Sequence, residues 1–109
     1  DDRQDRTITR DTDDDVSVDG ALYVAPGVSI DGNVEAGGDV ELGAGAHVDG
    51  NIETRGNVTL AEDVSVSGNI EAGGDVTIRE NADADGSVTG AAVSVADSAD
   101  VDGDITETR

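Results

Sequence analysis

The feature that most constrains this sequence is an apolar residue at every sixth position. From Val16 to Val88 all thirteen such positions are aliphatic. Of the thirteen residues two places further on, eleven are also aliphatic, and Thr54 and Gly90 are the exceptions. The residue between them is polar in every hexad except at Tyr23. Apolar–polar–apolar is the alternation of a strand with one buried face, so each hexad is expected to hold three residues of strand and three of turn.

A second pattern groups the hexads in threes. The corner, two residues after each apolar pair, is glycine in eight hexads, whereas every third hexad has Pro26, Ala44, Glu62 or Glu80 there instead, and the last has Ala92. Glycine suits a corner because it tolerates positive φ and close backbone approach. A fixed period of this length indicates a solenoid. We therefore expect an all-β fold, a single-stranded β-helix of triangular section with about 18 residues per turn.

The extent of the pattern predicts the domain organisation. Residues 1–15 contain seven acidic residues and one aliphatic side chain, Ile8, which is typical of a disordered acidic tail. The β-helix domain is expected over 16–107, about five turns, followed by a C-terminal end at 108–109.

One irregularity interrupts the period near its end. A residue is missing after Gly90, so the hexad expected at position 94 starts at Val93. We expect a tightened corner there, after which Ala99, Val101 and Ile105 resume the inward column.

Composition restricts the functions that such a chain can have. The net charge is -20, from 26 acidic and 6 basic residues, and cysteine, methionine, phenylalanine and tryptophan are absent. A surface this acidic repels nucleic acids and anionic lipids, so we expect no nucleic-acid partner and no direct membrane insertion. Without cysteine there is no disulfide and no thiolate metal site. Acidic surfaces of this kind are typical of proteins that work in very salty cytoplasm, where screening is strong.

Stacking of successive turns would align outward residues in columns. Glu35, Glu53 and Glu71 would form a column of carboxylates, read either as a solvated acidic surface or as a cation-binding surface. A second column, Asp39, Asn57 and Asp75, would alternate charged and neutral side chains and so avoid adjacent charges. We expect no cofactor and no metal site.

The single histidine, His47, lies between inward residues and is expected to point outward. Left-handed hexapeptide-repeat acyltransferases use a histidine base in a cleft between three subunits, so a trimeric enzyme of this kind is one alternative. A secreted calcium-binding repeat protein is the other. One histidine cannot form a three-histidine zinc site in a single chain, and we predict no catalytic residue and no enzyme.

The repeated phrases DGNVE, DGNIE, GDVEL and GDVTI, set in aliphatic hexads with short flanking tails, resemble the bactofilins, a family of polymer-forming cytoskeletal proteins. The chain is similar to haloarchaeal members called halofilins. The resemblance implies a right-handed β-helix that polymerises end to end without nucleotide and supports cell shape. It also implies cytoplasmic filaments or foci, and cell-shape or membrane-associated proteins as further partners.

The ends of the solenoid are where we expect self-association. An open β-helix exposes unpaired strand edges over an apolar core, solenoids usually cap such ends, and neither flank predicts an amphipathic capping helix. The residues expected at the polymer interface lie in the terminal turns: Val16, Val18, Leu22, Tyr23, Val101 and Ile105.

Overall fold

The computed structural model describes residues 5–108, and those residues form strands and turns without a helix. In chain order the strands are β1 Arg6–Ile8, β2 Val16–Val18, β3 Leu22–Val24, β4 Ser29–Ile30, β5 Val34–Ala36, β6 Val40–Leu42, β7 His47–Val48, β8 Ile52–Thr54, β9 Val58–Leu60, β10 Ser65–Val66, β11 Ile70–Ala72, β12 Val76–Ile78, β13 Asp83–Ala84, β14 Val88–Gly90, β15 Val93–Val95, β16 Asp100–Val101 and β17 Ile105–Glu107. Most strands have the three residues that the hexads predict, and five have two: β4, β7, β10, β13 and β16.

The strands stack as three parallel sheets, which form the faces of the predicted solenoid. Face 1 contains β1, β3, β6, β9, β12 and β15; face 2 contains β4, β7, β10, β13 and β16; face 3 contains β2, β5, β8, β11, β14 and β17. Through the middle of the chain the paired residues are three hexads apart, as in the pairs Val34–Ile52 and Val40–Val58. The all-β solenoid predicted from the period is confirmed.

The solenoid has about six turns, one more than predicted, because the chain already coils in the segment expected to be a disordered tail. In face 1, β1 pairs with β3 and places Ile8 beside Val24, and Thr12 forms an isolated bridge with Ile30 of β4. Ile8 is only 4% exposed. The prediction of disorder is therefore wrong for residues 5–15; residues 1–4 lie outside the described part of the chain.

The tightened corner predicted after Gly90 is confirmed. Val76 pairs with Val93, so this turn is one residue shorter than the turns before it. The shortened spacing persists in the last turn, where Val88 pairs with Ile105. Ala99 and Val101 return to the inward column and pack against the core.

The core is a single narrow column of aliphatic side chains that runs along the solenoid axis. One middle turn illustrates its composition, because all six of its inward side chains are buried: Val34, Ala36, Val40, Leu42, Ala46 and Val48. The inward exception Thr54 is also buried, and its hydroxyl donates to the carbonyl of Gly38 and accepts from the backbone N–H of Gly56. Buried polar groups need such partners.

Of the two causes expected for the glycine corners, the structure supports close backbone approach and not positive φ. Positive φ occurs at one other column, Gly27, Gly45, Asp63 and Asn81, which belongs to the third corner of each turn. At the repeated glycine corners the constraint is close approach: a Cβ on Gly68 would lie 2.6 Å from the carbonyl oxygen of the corner stacked beside it. These corners need glycine because consecutive turns touch there through their backbones.

Candidate functional site: outward columns and the two ends

A ladder of side-chain amides connects one corner of each turn to the next. The side-chain oxygen of Asn33 accepts the backbone N–H of Asn51 at 3.0 Å, Asn51 accepts that of Asn69 at 2.8 Å, and Asn69 accepts that of Ser87 at 2.9 Å. Corner N–H groups have no partner within their own turn and need an acceptor. The ladder therefore stabilises the stacking of the turns.

The column of Asp39, Asn57 and Asp75 is a second ladder of the same kind. The carboxylate of Asp39 accepts the backbone N–H of Asn57 at 2.9 Å, and the side-chain oxygen of Asn57 accepts that of Asp75 at 2.8 Å. Aspartate and asparagine both supply the oxygen, so alternating them retains the hydrogen bonds and separates the charges. The sequence predicts that this column avoids adjacent negative charges, but it does not predict the hydrogen bonds.

We expect Asn51→Ala to lower the free energy of unfolding by about 1 kcal/mol, because it removes one ladder acceptor. Chemical denaturation in molar salt measures the change. Asn51→Asp retains the acceptor and is the matched control, expected to lose less than half as much. Equal losses for the two variants would show that the ladder does not stabilise the stack.

The predicted carboxylate column exists on face 3. Glu35 lies beside Glu53, and Glu53 beside Glu71, each pair in direct register on neighbouring strands. All three side chains are exposed. Like charges directly opposite each other in a sheet destabilise it, so this column opposes the fold unless salt screens it.

We expect Glu53→Gln to raise the free energy of unfolding by about 0.5–1 kcal/mol in dilute buffer, because it removes the charge between two others. The gain should fall towards zero in molar salt, where the Debye length is about 3 Å. Glu41→Gln is the control, since Glu41 lies between Tyr23 and Thr59 and has no acidic register neighbour. A gain independent of salt, or equal in both variants, would contradict this account.

Face 2 carries a second acidic group near the C-terminal end. Desolvation, followed by the charges of Asp85, Asp100 and Asp102, raises the pKa of Asp83 above the ordinary carboxyl value. The folded protein therefore holds this proton more tightly than the unfolded chain does, and stability is lost as pH rises from the ordinary value through the raised one.

We expect Asp83→Asn to stabilise the protein at neutral pH, where the wild-type carboxylate is ionised. The gain should vanish at pH values below the ordinary carboxyl range, where the side chain is protonated in both states. Thermal unfolding followed as a function of pH checks this. A gain that persists unchanged in acid would assign the effect to packing instead of charge.

His47 points outward, as predicted, and lies on face 2 between Ser29 and Ser65 in the strand register. A general base needs a partner that orients it, and neither register neighbour is an acid. Among residues 5–108, no three or more histidine, aspartate or glutamate side chains are grouped so that they could hold a metal ion. Within residues 5–108, the structure therefore supplies no site that would support the acyltransferase alternative or the calcium-binding alternative.

At the C-terminal end, the inward column reaches the surface. Val95 is 37% exposed and Ile105 is 46% exposed, and Val101 lies half-buried beside them. The last strand of each face, β15, β16 and β17, has a neighbour on one side only within the described chain. This end therefore combines exposed aliphatic side chains with strand edges that can accept a further strand.

Glu107 modifies this end in a way that the hexad pattern did not predict. Its side chain reaches across from β17, and its carboxylate accepts the backbone N–H of Val93 at 2.9 Å. The backbone N–H of Thr108 donates to the carbonyl of Gly90 at 2.8 Å. One edge N–H of β15 is thus occupied by the chain's own side chain. The sequence signal for this contact is that position 107, an inward position, holds a glutamate instead of an aliphatic residue.

At the N-terminal end, the aliphatic column is covered. Val16, Val18 and Leu22 are buried in the same cluster as Ile8, so they form no exposed end surface in this structure. β1 lies over Leu22, whereas Val16 and Val18 belong to β2, the last described strand of face 3. Tyr23 is 40% exposed, but it lies on the side of the solenoid, beside Thr7 and Glu41. Of the six predicted interface residues, only Val101 and Ile105 lie together at an open end.

Comparison with known proteins identifies the family. The model of the bactofilins, described as polymer-forming cytoskeletal proteins, matches residues 10–107. The chain belongs to the bactofilin family. Searches of curated proteins and of solved structures gave no significant match. Residues 5–108 contain no helix that is long and apolar enough to cross a membrane.

Proposed function

We propose that this protein is a non-enzymatic cytoskeletal subunit that polymerises end to end, without nucleotide, into filaments that support cell shape. The observation that carries the proposal is the C-terminal end, where Val95 and Ile105 stay exposed at inward positions of the last turn. In every middle turn the equivalent positions are covered by the next turn. A second copy that stacked here would bury the same column and pair the free edges of β16 and β17.

The family supports the polymer-forming part of the proposal, since the bactofilin model covers most of the chain. The net charge of the subunit adds a condition to the proposed polymerisation. A subunit with a net charge of -20 repels its copies in dilute buffer, and molar salt shortens the range of that repulsion to about 3 Å. We therefore propose a halophilic, halofilin-like member whose assembly requires molar salt.

Electron microscopy and sedimentation of the purified protein in molar salt test the proposal. We expect filaments that sediment at high salt and dissociate on dilution into low salt, with or without added nucleotide. Monodisperse particles of one subunit across the salt range would contradict it. The right-handed coil, the cytoplasmic location and partners near the membrane stay predictions, and imaging of a fluorescent fusion in cells checks the location.

A further inference from the structure

Residues 5–15 form the face 1 and face 2 parts of the first turn, whose third face is β2, and we name this segment the N-terminal cap. It contributes one buried aliphatic side chain, Ile8, where the same two faces of a middle turn contribute four: Val40, Leu42, Ala46 and Val48. Arg6 lies at the position paired with inward Leu22 and is exposed. The cap therefore has the smallest share of the core, and weakly packed segments of this kind open before the rest of a fold.

The register of the cap is also irregular. Ile8 pairs with Val24, two positions short of the spacing found in the middle turns, whereas Thr12 pairs with Ile30 at the full spacing. Two residues are thus missing from the corner between β1 and the bridge at Thr12, and the bridge replaces the two-residue strand found in later turns. The cap has fewer ladder contacts than a regular turn.

Three aspartates fasten the cap to the turn beneath it. Asp5 accepts the backbone N–H of Ala21 at 2.8 Å, Asp11 that of Ser29 at 2.9 Å, and Asp15 that of Asn33 at 2.9 Å. All three aspartates are exposed, so water can replace each hydrogen bond when the cap leaves. Detachment of the cap would leave no polar group without a partner.

Beneath the cap lies the part of the second turn that belongs to faces 1 and 2. Its inward side chains are all buried: Leu22, Val24, Val28 and Ile30. Without the cap, these four would form an apolar end with free strand edges, as Val95, Val101 and Ile105 do at the opposite end. With the cap docked, one end is open, and the other is covered on faces 1 and 2, while β2 is the last described strand of face 3.

We propose that the N-terminal cap is a displaceable cover whose release makes the second end available to another copy of the chain. The proposal rests on the proposed end-to-end assembly. A subunit with its cap docked can associate through the C-terminal end alone and stops at a pair, whereas a subunit with its cap released can extend a filament. The cap thereby sets the fraction of subunits that can elongate.

A disulfide that locks the cap tests this directly, because the chain contains no cysteine of its own. Thr7 and Tyr23 are register partners on the outer side of face 1, and neighbouring strands lie about 4.8 Å apart, within the Cα range of a disulfide. The variant is Thr7→Cys with Tyr23→Cys. The matched control is Thr59→Cys with Thr77→Cys, a register pair in the middle of the same face.

In molar salt, we expect the oxidised cap-locked variant to yield particles no larger than two subunits, and a reductant to restore filaments. The control pair should form filaments in both redox states. Filaments of normal length from the oxidised cap-locked variant would overturn the cap proposal and leave end-to-end assembly standing. Failure of the wild type and of both reduced variants to assemble would overturn the proposed function, and the cap proposal with it.

Ile8→Ala provides an independent measurement if the locked variant does not fold. The change removes the only buried aliphatic side chain of the cap, so the undocked fraction should rise roughly tenfold or more. Amide exchange at Ala21, Ser29 and Asn33, whose N–H groups the cap accepts, should quicken by the same factor, and filaments should appear with a shorter lag. An unchanged lag with accelerated exchange would overturn the proposal.

Discussion

Ile105→Asp is expected to abolish filament formation while leaving the subunit folded. Ile105 is 46% exposed at the C-terminal end, so an aspartate there stays hydrated in the free subunit. In an assembled pair the carboxylate would be buried without a partner, which costs several kcal/mol. Since about 1.4 kcal/mol corresponds to a tenfold change in affinity, the critical concentration for assembly should rise by roughly a hundredfold or more.

Sedimentation across a concentration series in molar salt measures this change, and thermal unfolding verifies the fold. The midpoint of unfolding should stay close to that of the wild type, because exposed substitutions usually change stability by less than about 0.5 kcal/mol. Thr106→Asp is the matched control: it adds the same charge one residue along β17, at a side chain in register with outward Thr89. Loss of filaments in both variants would point to net charge, and filaments in Ile105→Asp would exclude this end as the contact.

Gly68→Ala is expected to be among the most destabilising single changes in the chain. The added Cβ would lie 2.4 Å from the side-chain oxygen of Asn51 and 2.6 Å from the carbonyl oxygen of Gly50. The asparagine can rotate away, but the carbonyl belongs to the backbone of the neighbouring turn, and the two turns must separate. We expect a loss of about 3 kcal/mol, at the upper end of the usual range for overpacking.

Gly45→Asn is the contrasting variant, since Gly45 has a positive φ of 74° and a Cβ added there would make only an ordinary van der Waals contact, 3.9 Å from the backbone nitrogen of Gly27. Asp63 and Asn81 occupy the same column one and two turns further on, with φ values of 65° and 63°. Asparagine tolerates this conformation, so we expect a change within about 0.5 kcal/mol. Denaturant unfolding measures the stability of both variants. If Gly45→Asn lost as much stability as Gly68→Ala or more, close contact would not be what restricts the corner of Gly68, nor backbone conformation what restricts the column of Gly45.

The middle turns were predictable from the sequence because the repeat is exact there. One apolar pair in each hexad assigns the strands and their inward side chains, and a different corner in every third hexad gives the length of a turn. The missing residue before Val93 could be recognised for the same reason, since a single break in a strict period has one location. The length of a turn predicts which residues stack on one another, and it therefore also predicts the column of Glu35, Glu53 and Glu71.

The N-terminal cap could not be read in this way. Its period is shortened by two residues, and it offers one aliphatic side chain, so no hexad is visible in it. Its aspartates resemble those of a disordered acidic segment. In the structure, Asp5, Asp11 and Asp15 instead accept backbone N–H groups of the next turn. A side chain that bonds a residue a whole turn away leaves no local signal, so the sequence did not show that β1 lies over Leu22.

The sequence by itself determined that this chain forms a narrow aliphatic solenoid, because an alternating pair of apolar residues at a fixed period can be buried in no other common way. Only the tertiary structure decided where the solenoid is open. Exposure at an end depends on whether some other segment lies over it, and a weakly patterned segment covers the N-terminal column, while Val95 and Ile105 remain accessible at the C-terminal end. It also decided why the corners are glycine, since the distance between backbones in neighbouring turns exists only after the turns have stacked.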